Sequence, residues 1–416
     1  MNKQSMSWRE SYPGRVLTAV AKHGLTHGLR DSLARWAREQ VRVAATPFSE
    51  YGWALTKSQS AGLPPPSGGP LKIVWIIPPL EEASGGHMST LRAIYHLERW
   101  GHQHRIYMSG RIRMSAERAT AIARSYYPIK ANVELFTGTT ADSDALVATL
   151  WRTAYIVRGL SNTARKFYFV QDLEHLFYPP GGLSEFVKDT YRWGFYGITM
   201  GDWVARVLRK EFGMESSPIG FSYDCRLYTV SGTRRLSPGK KRVLFYARPS
   251  TERRGFEIGV LALSIVARKM PEAEFILLGS PLRQSQLPFP AILPGVVPRS
   301  ELAGWYRSCS AALVLSYTNI SLLPMELMAS GCPVVSNRGP GVEWLLTDDI
   351  AQLAEGTPEA LADAILGLLN NDELRARKVA AAMSFVQRVD EAQEMRGFES
   401  GFYQGLGISR PVLADG

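Results

Sequence analysis

Residues 71–77 are almost wholly apolar, and such a run suits a parallel strand covered on both faces. After Ser84-Gly85-Gly86-His87, Met88, Leu91, Ile94, Leu97 and Trp100 recur every three residues, which predicts a helix. Gly101 ends that helix, and residues 105–108 start another strand. Strand, glycine loop, helix and strand in this order make a βαβ unit. The alternation continues with strands over 145–149, 167–171 and 197–200 and helices over 151–160 and 202–212. Residues 226–240 are polar, with Ser, Gly, Pro and basic side chains, and mark a boundary. The pattern then restarts. Strands are expected over 242–246, 274–278, 311–316 and 333–336, and helices over 256–269, from 324 onward, over 358–369 and over 373–385. Two α/β domains with parallel sheets follow.

A chain of 416 residues is too long for one core, which agrees with two domains. They are expected over 71–230 and 231–416, with the last helix crossing back to the first. Residues 1–70 stand apart as a helical extension and linker. Val16, Leu17, Val20, Leu29, Leu33 and Trp36 fall mostly at helical spacing, with Lys22, Arg30, Arg35, Arg38 and Arg42 between them. This segment reads either as a basic amphipathic helix on an anionic membrane or as a helix packed on the first domain with a solvated basic face. Gly24 and Gly28 weaken a long continuous helix. Residues 62–70, with their prolines, read as a linker.

Composition narrows the partners. Hydrophobic residues make up 45% and charged residues 21%, an ordinary globular balance. There is no apolar run of about 20 residues that could span a membrane, and residues 1–10 are polar, unlike a signal peptide. A cytoplasmic protein is expected, with peripheral contact at the inner membrane face left open by residues 1–60. The net charge of +10 suits an anionic partner. Nucleic acid ranks last, since no RNA-binding aromatic signature, zinc finger or basic zipper is present. Cys225, Cys309 and Cys332 are too scattered for a metal site or a disulfide framework.

Ligands of such sheets bind beyond the carboxyl ends of the strands. Gly85-Gly86-His87 would let a backbone approach a ligand at a helix N-terminus, but the spacing is not a dinucleotide fingerprint. Gln171-Asp172-Leu173-Glu174-His175, after an aromatic strand, suits hydroxyl binding or proton transfer. Arg248, Arg253 and Arg254 lie between a strand and a helix, where cations can clamp a diphosphate. Glu326 sits alone in an apolar helix start with Pro324 and Met325, and is costly there without partners. It could accept hydrogen bonds from ribose hydroxyls. The loop 337–341 is a weaker candidate. Asp142-Ser143-Asp144 precedes an apolar strand instead of following one and reads as a strand-start turn, so no metal is expected.

The second half resembles the C-terminal domain of the retaining GT-B transferases of glycosyltransferase family 4. That family has an Arg and a Lys five residues apart on the donor diphosphate; Arg248 and Arg253 match the spacing, and Arg254, directly before Gly255, competes for the second role. Glu326 matches the family's ribose-holding glutamate, with Gly279, Pro324 and Met325 on the donor side. More narrowly, residues 151–155, 167–174 and 245–249 resemble the WsaF-like rhamnosyltransferases, which use dTDP-rhamnose to build bacterial surface polysaccharide. The family's first glutamate, eight residues before the second, is Thr318 here. The WsaF-like proteins lack it too.

The resemblance implies an α/β GT-B fold, two Rossmann-like domains facing across a cleft. It implies a metal-independent transferase with no cofactor, whose donor is a dTDP- or UDP-sugar. Arg248 would neutralise the leaving diphosphate. A glycan or lipid-linked acceptor would meet Gly85, Gly86, His87, Gln171, Asp172 and Glu174, with His87 and Asp172 taking part in catalysis. The rival expectation is a nucleotide-sugar binder or assembly subunit that turns nothing over, which the missing glutamate alone suggests. A third is a membrane-associated scaffold acting through residues 1–60.

Overall fold

The structure is a computed structural model and describes residues 48–81, 84–231 and 240–410. The expected amphipathic helix falls on residues 1–47, outside the described residues. The chain divides into a small unit ending at Thr56, of which Phe48–Leu55 is a 3-10 helix, and a large unit from Lys57 onward.

The large unit holds two sheets. The first contains β1 (Lys72–Ile77), β2 (Gln103–Met108), β3 (Val133–Leu135), β4 (Ser143–Ala148), β5 (Thr163–Val170), β6 (Tyr196–Met200) and β7 (Ser216–Ile219). They lie in the order β3-β2-β1-β4-β5-β6-β7, all parallel. The second contains β8 (Arg242–Tyr246), β9 (Glu274–Leu278), β10 (Ile292–Gly295), β11 (Ala311–Val314), β12 (Val334–Asn337) and β13 (Gln352–Ala354). Its order is β10-β9-β8-β11-β12-β13, again all parallel. Strands buried on both faces give the continuous apolar runs seen in β1 and β8.

The first sheet carries α1 (Gly85–Arg99), α2 (Ala116–Tyr126), α3 (Trp151–Arg158), α4 (Gly182–Thr190) and α5 (Asp202–Phe212). The second carries α6 (Phe256–Lys269), α7 (Arg299–Arg307), α8 (Leu323–Ala329), the short α9 (Pro340–Glu343), α10 (Pro358–Asn370) and α11 (Asp372–Val386). The final helix, α12 (Glu391–Leu406), lies on the first sheet. Its Phe398 and Phe402 lie 5.9 and 6.0 Å from the Trp75 ring, and its fully buried Glu399 takes a 2.9 Å bond from His102.

Two expectations change. Gly85, Gly86 and His87 are the first turn of α1, not a loop before it. The apolar spacing begins only at Met88 because that first turn faces the cleft. The linker expected over 62–70 is bonded to the first half at its start, and the bonded stretch begins before it. Gln59 N–H bonds Arg158 O, Gly62 N–H bonds Ser161 O and Leu63 N–H bonds Thr163 O, while Lys166 Nζ donates to Gln59 O. In each sheet the strand order reverses, between β1 and β4 and between β8 and β11, and a crevice opens beyond the strand ends at such a reversal.

Candidate functional site

Those crevices meet in a cleft of about 650 Å³ lined from both sheets. On the second sheet, β8 ends in Tyr246 and delivers Arg248 to the wall. Arg248 has no carboxylate partner among the described residues. Its Nη1 donates to the Tyr246 hydroxyl at 3.5 Å, with the ring 5.9 Å away. Gly279, at the end of β9, has φ +101°, and a Cβ there would press on the Tyr246 ring and Ala247 O. That glycine keeps the floor open beside the arginine.

Arg253 and Arg254 fall in the turn before α6 and part company. Arg253 lies over the Phe177 ring at 3.7 Å, with Nε 3.9 Å from Asp172 Oδ2 and no hydrogen bond to it. Arg254 donates through Nη1 to Ser316 Oγ at 2.7 Å and Asn319 O at 3.1 Å. Burial lowers its pKa to about 10. Arg254 is thus committed to the protein, and Arg253 is the better placed of the two to meet an anion.

Glu326 on α8 is buried and lines the cleft, accepting from Tyr306 Oη at 3.3 Å. Tyr228 stacks on Tyr306, centroids 5.9 Å apart. Burial raises the Glu326 carboxyl to about 7, against the opposing pull of Arg299 and Arg92. Leu322, Leu323 and Glu326 share the cleft face of this helix start, whereas Pro324 and Met325 point away, Met325 into the core. The helical period turns the side chains of those two inward, so they stand behind the cleft face. Ile320, Leu322 and Leu323 form a largely apolar stretch of wall, with the Ser321 hydroxyl among them. Thr318 is 2% exposed and lies outside that wall.

On the first sheet, Gly86, His87, Gln171, Asp172 and Glu174 come together at the cleft. Gly85 lines it as well, one residue before Gly86 in α1. Gln171 Nε2 donates to Gly86 O at 3.1 Å. His87 Nε2 lies 3.1 Å from Pro79 O, and burial lowers its pKa. Glu174 Oε2 accepts the Trp151 N–H at 2.7 Å, one of the unpaired amides at the start of α3. Burial raises this carboxyl to about 8. Asp172 does not present free oxygens. Oδ2 accepts from Thr318 Oγ1 at 2.7 Å, and Oδ1 accepts the N–H groups of Asn319 and Leu173 at 2.8 Å each. Burial pushes the carboxyl upward, while Arg254 and these bonds pull it down.

Sequence reasoning missed Asn319, Tyr246, Phe177 and Arg299, all of which line the cleft. The strand-end rule points to Asn319, in the loop after β11, but among Ser316, Tyr317, Thr318 and Ser321 nothing singles it out. Among the described residues no cluster of His, Cys, Asp or Glu could hold a metal, and no helix is long and apolar enough to cross a membrane.

Comparison with known proteins agrees with this geometry. Residues 241–366 match the family of the WsaF C-terminal domain. The O-antigen biosynthesis protein RfbC of Myxococcus xanthus is 33% identical over 257 residues, covering 61% of this chain and 20% of RfbC. The phosphatidyl-myo-inositol mannosyltransferase of Mycobacterium leprae is 28% identical over 177 residues, covering 38% of this chain and 46% of the relative. The chain thus spans less than half the length of either. Among solved structures, Anabaena HepE, crystallised with UDP and glucose, superposes with a TM-score of 0.61 at 14% identity, over 79% of this chain and 98% of its own. WaaG, a glycosyltransferase involved in lipopolysaccharide biosynthesis, superposes with a TM-score of 0.58 at 13% identity, over 79% and 98%. The described chain therefore has the GT-B fold, and its residues 241–366 are similar to the WsaF C-terminal domain.

Proposed function

We propose that the protein is a glycosyltransferase of bacterial surface polysaccharide synthesis, moving a sugar from a nucleoside diphosphate to a glycan or lipid-linked acceptor. The observation that carries this reading is the presence in one cleft of Arg248, a cation without a carboxylate partner among the described residues, and Glu326, a buried carboxylate. Arg248 and Arg253 neutralise the departing diphosphate, and Glu326 accepts from the ribose hydroxyls. No metal is required by this arrangement. The acceptor lies on the first-sheet wall near His87 and Glu174, and the enclosing walls limit hydrolysis of the donor.

The donor sugar is rhamnose or another 6-deoxy hexose carried on dTDP or UDP. The apolar wall of Ile320, Leu322 and Leu323 supports this, as does Thr318 at the position where the wider family has a carboxylate. The test is a competition between dTDP-rhamnose and UDP-glucose with a crude polysaccharide acceptor, with donor binding followed by thermal shift. Saturating ligand at about 100 times its Kd adds about 2.7 kcal/mol of stability. Binding without product from any donor would favour the non-catalytic reading, and preference for UDP-glucose would remove rhamnose alone. Residues 1–60 would add a salt-sensitive attachment to anionic membrane. Vesicle sedimentation of the full chain against a form starting at Pro70 tests it, since screening acts within about 10 Å at 0.1 M salt.

A further inference from the structure

Asn319 is 1% exposed, and all of its polar groups are bonded. Its N–H donates to Asp172 Oδ1 at 2.8 Å, and its carbonyl accepts from Arg254 Nη1 at 3.1 Å and Ser316 Oγ at 2.9 Å. Its Nδ2 donates to Gln171 O at 2.9 Å and Met200 O at 2.8 Å, and its Oδ1 accepts from Trp344 Nε1 at 2.8 Å. Gln171 follows β5 and Met200 ends β6, both in the first sheet. Ser316, Arg254 and Trp344 belong to the second. One amide therefore ties the ends of two first-sheet strands to the loop after β11. The Trp344 ring that completes the set lies on Gly201, where a Cβ would strike it, and 5.3 Å from Phe221.

We propose that Asn319 is a positioning residue. It fixes the spacing of the two cleft walls and so sets Arg248 and Glu326 opposite His87 and Glu174. Only an amide fits, because the site asks for two donors toward carbonyls and one acceptor for an indole. Aspartate would turn oxygens toward two carbonyls beside Asp172. Leucine would leave the carbonyls and the indole unpaired.

The activity arm of the test rests on the transferase reading, and the scattering arm does not. Full-length Asn319→Asp is compared with the unaltered chain by small-angle X-ray scattering, by calorimetric titration with dTDP and UDP, and by turnover. A larger radius of gyration is expected, because the walls separate. The nucleotide Kd should stay within about threefold, since Arg248, Arg253 and Glu326 all lie on the second half. Turnover should fall by roughly 100-fold, the scale of a misplacement of about 1 Å. An unchanged radius overturns the proposal even if no donor is ever turned over. Turnover and nucleotide binding falling together also overturn it, since that pattern means local damage. Should Asn319→Asp fail to fold, Trp344→Phe keeps a ring on Gly201 and removes one donor. A drop in kcat with unchanged donor KM supports the latch, and an unchanged kcat overturns it.

Discussion

Thr318 Oγ1 donates to Asp172 Oδ2 across the two halves of the fold at 2.7 Å. Position 318 corresponds to the first glutamate of the family 4 transferases that the second half resembles. Here the side chain turns from the cleft and receives a carboxylate from the opposite sheet. Thr318→Val keeps the shape and removes one donor from a buried acid. A loss of about 1.5–3 kcal/mol is expected by urea unfolding at pH 7. The Asp172 carboxyl stands above its ordinary value of 3.8, so the folded state keeps the proton longer than the unfolded one. Stability therefore falls as pH rises from the ordinary value through the folded one, and more steeply in the variant. Identical unfolding midpoints for both proteins would show that the bond contributes nothing.

The three arginines should separate by phenotype. Arg248→Ala, which has no carboxylate to release among the described residues, is expected to lower turnover by roughly 100- to 1,000-fold with little change in stability. Arg253→Ala should weaken dTDP or UDP binding by roughly 10- to 100-fold, the worth of one charge-assisted bond. Arg254→Ala should destabilise the fold by about 1–3 kcal/mol, because it leaves the buried acceptors Ser316 Oγ and Asn319 O without that donor. Titration calorimetry and melting curves on all three decide the assignment. A stable Arg254→Ala that cannot bind nucleotide would exchange the roles of 253 and 254.

The apolar strands and their carboxyl-end loops were legible because burial on both faces writes continuous apolar runs, as at 71–77 and 274–278. Arg248, Arg253 and Glu326 stood out as charges interrupting such runs, and all three line one cleft. Short edge strands such as β3 and β13 were not legible, since three residues carry no period. Asn319 was missed for another reason. Its bonds join residues 171, 200, 254 and 344, and that meeting exists only once two sheets have folded against each other. Asp172 drew notice as a carboxylate, yet its local sequence could not disclose that Thr318 and Asn319 occupy its oxygens.

Glu326 predicts a pH dependence. Its carboxyl lies near 7 in the folded chain against 4.5 as the ordinary value. The raised value means that stability contributed by this group declines as pH climbs from about 4.5 through 7. Nucleotide binding should respond in the opposite sense, because the ionised carboxylate is the stronger acceptor for ribose hydroxyls. Affinity for UDP should rise between pH 6 and pH 8, beyond the rise that the phosphate's own titration gives. Glu326→Gln removes the side-chain part and keeps the phosphate part. Parallel affinity profiles for the two proteins would take Glu326 out of ribose binding.

Ile320 and Leu322 offer the sharpest handle on the donor sugar. Both line the cleft in the loop that carries Thr318 away from it, so the stretch of wall proposed to meet the sugar presents methyl groups and no carboxylate. A 6-deoxy sugar presents a methyl to such a wall, and glucose presents a hydroxymethyl group. Burying that hydroxyl without a partner costs about 1–3 kcal/mol, which corresponds to a preference of about 10- to 100-fold. Ile320→Asn places an amide on the wall and supplies the missing partner. The ratio of kcat/KM for dTDP-rhamnose over dTDP-glucose should fall by at least about tenfold in the variant, mostly through better use of the glucose donor. Holding the base constant isolates the sugar from the nucleotide. A ratio that stays fixed while both donors slow equally would mean that Ile320 faces another part of the cleft, and the wall would then give no ground for choosing a deoxy sugar.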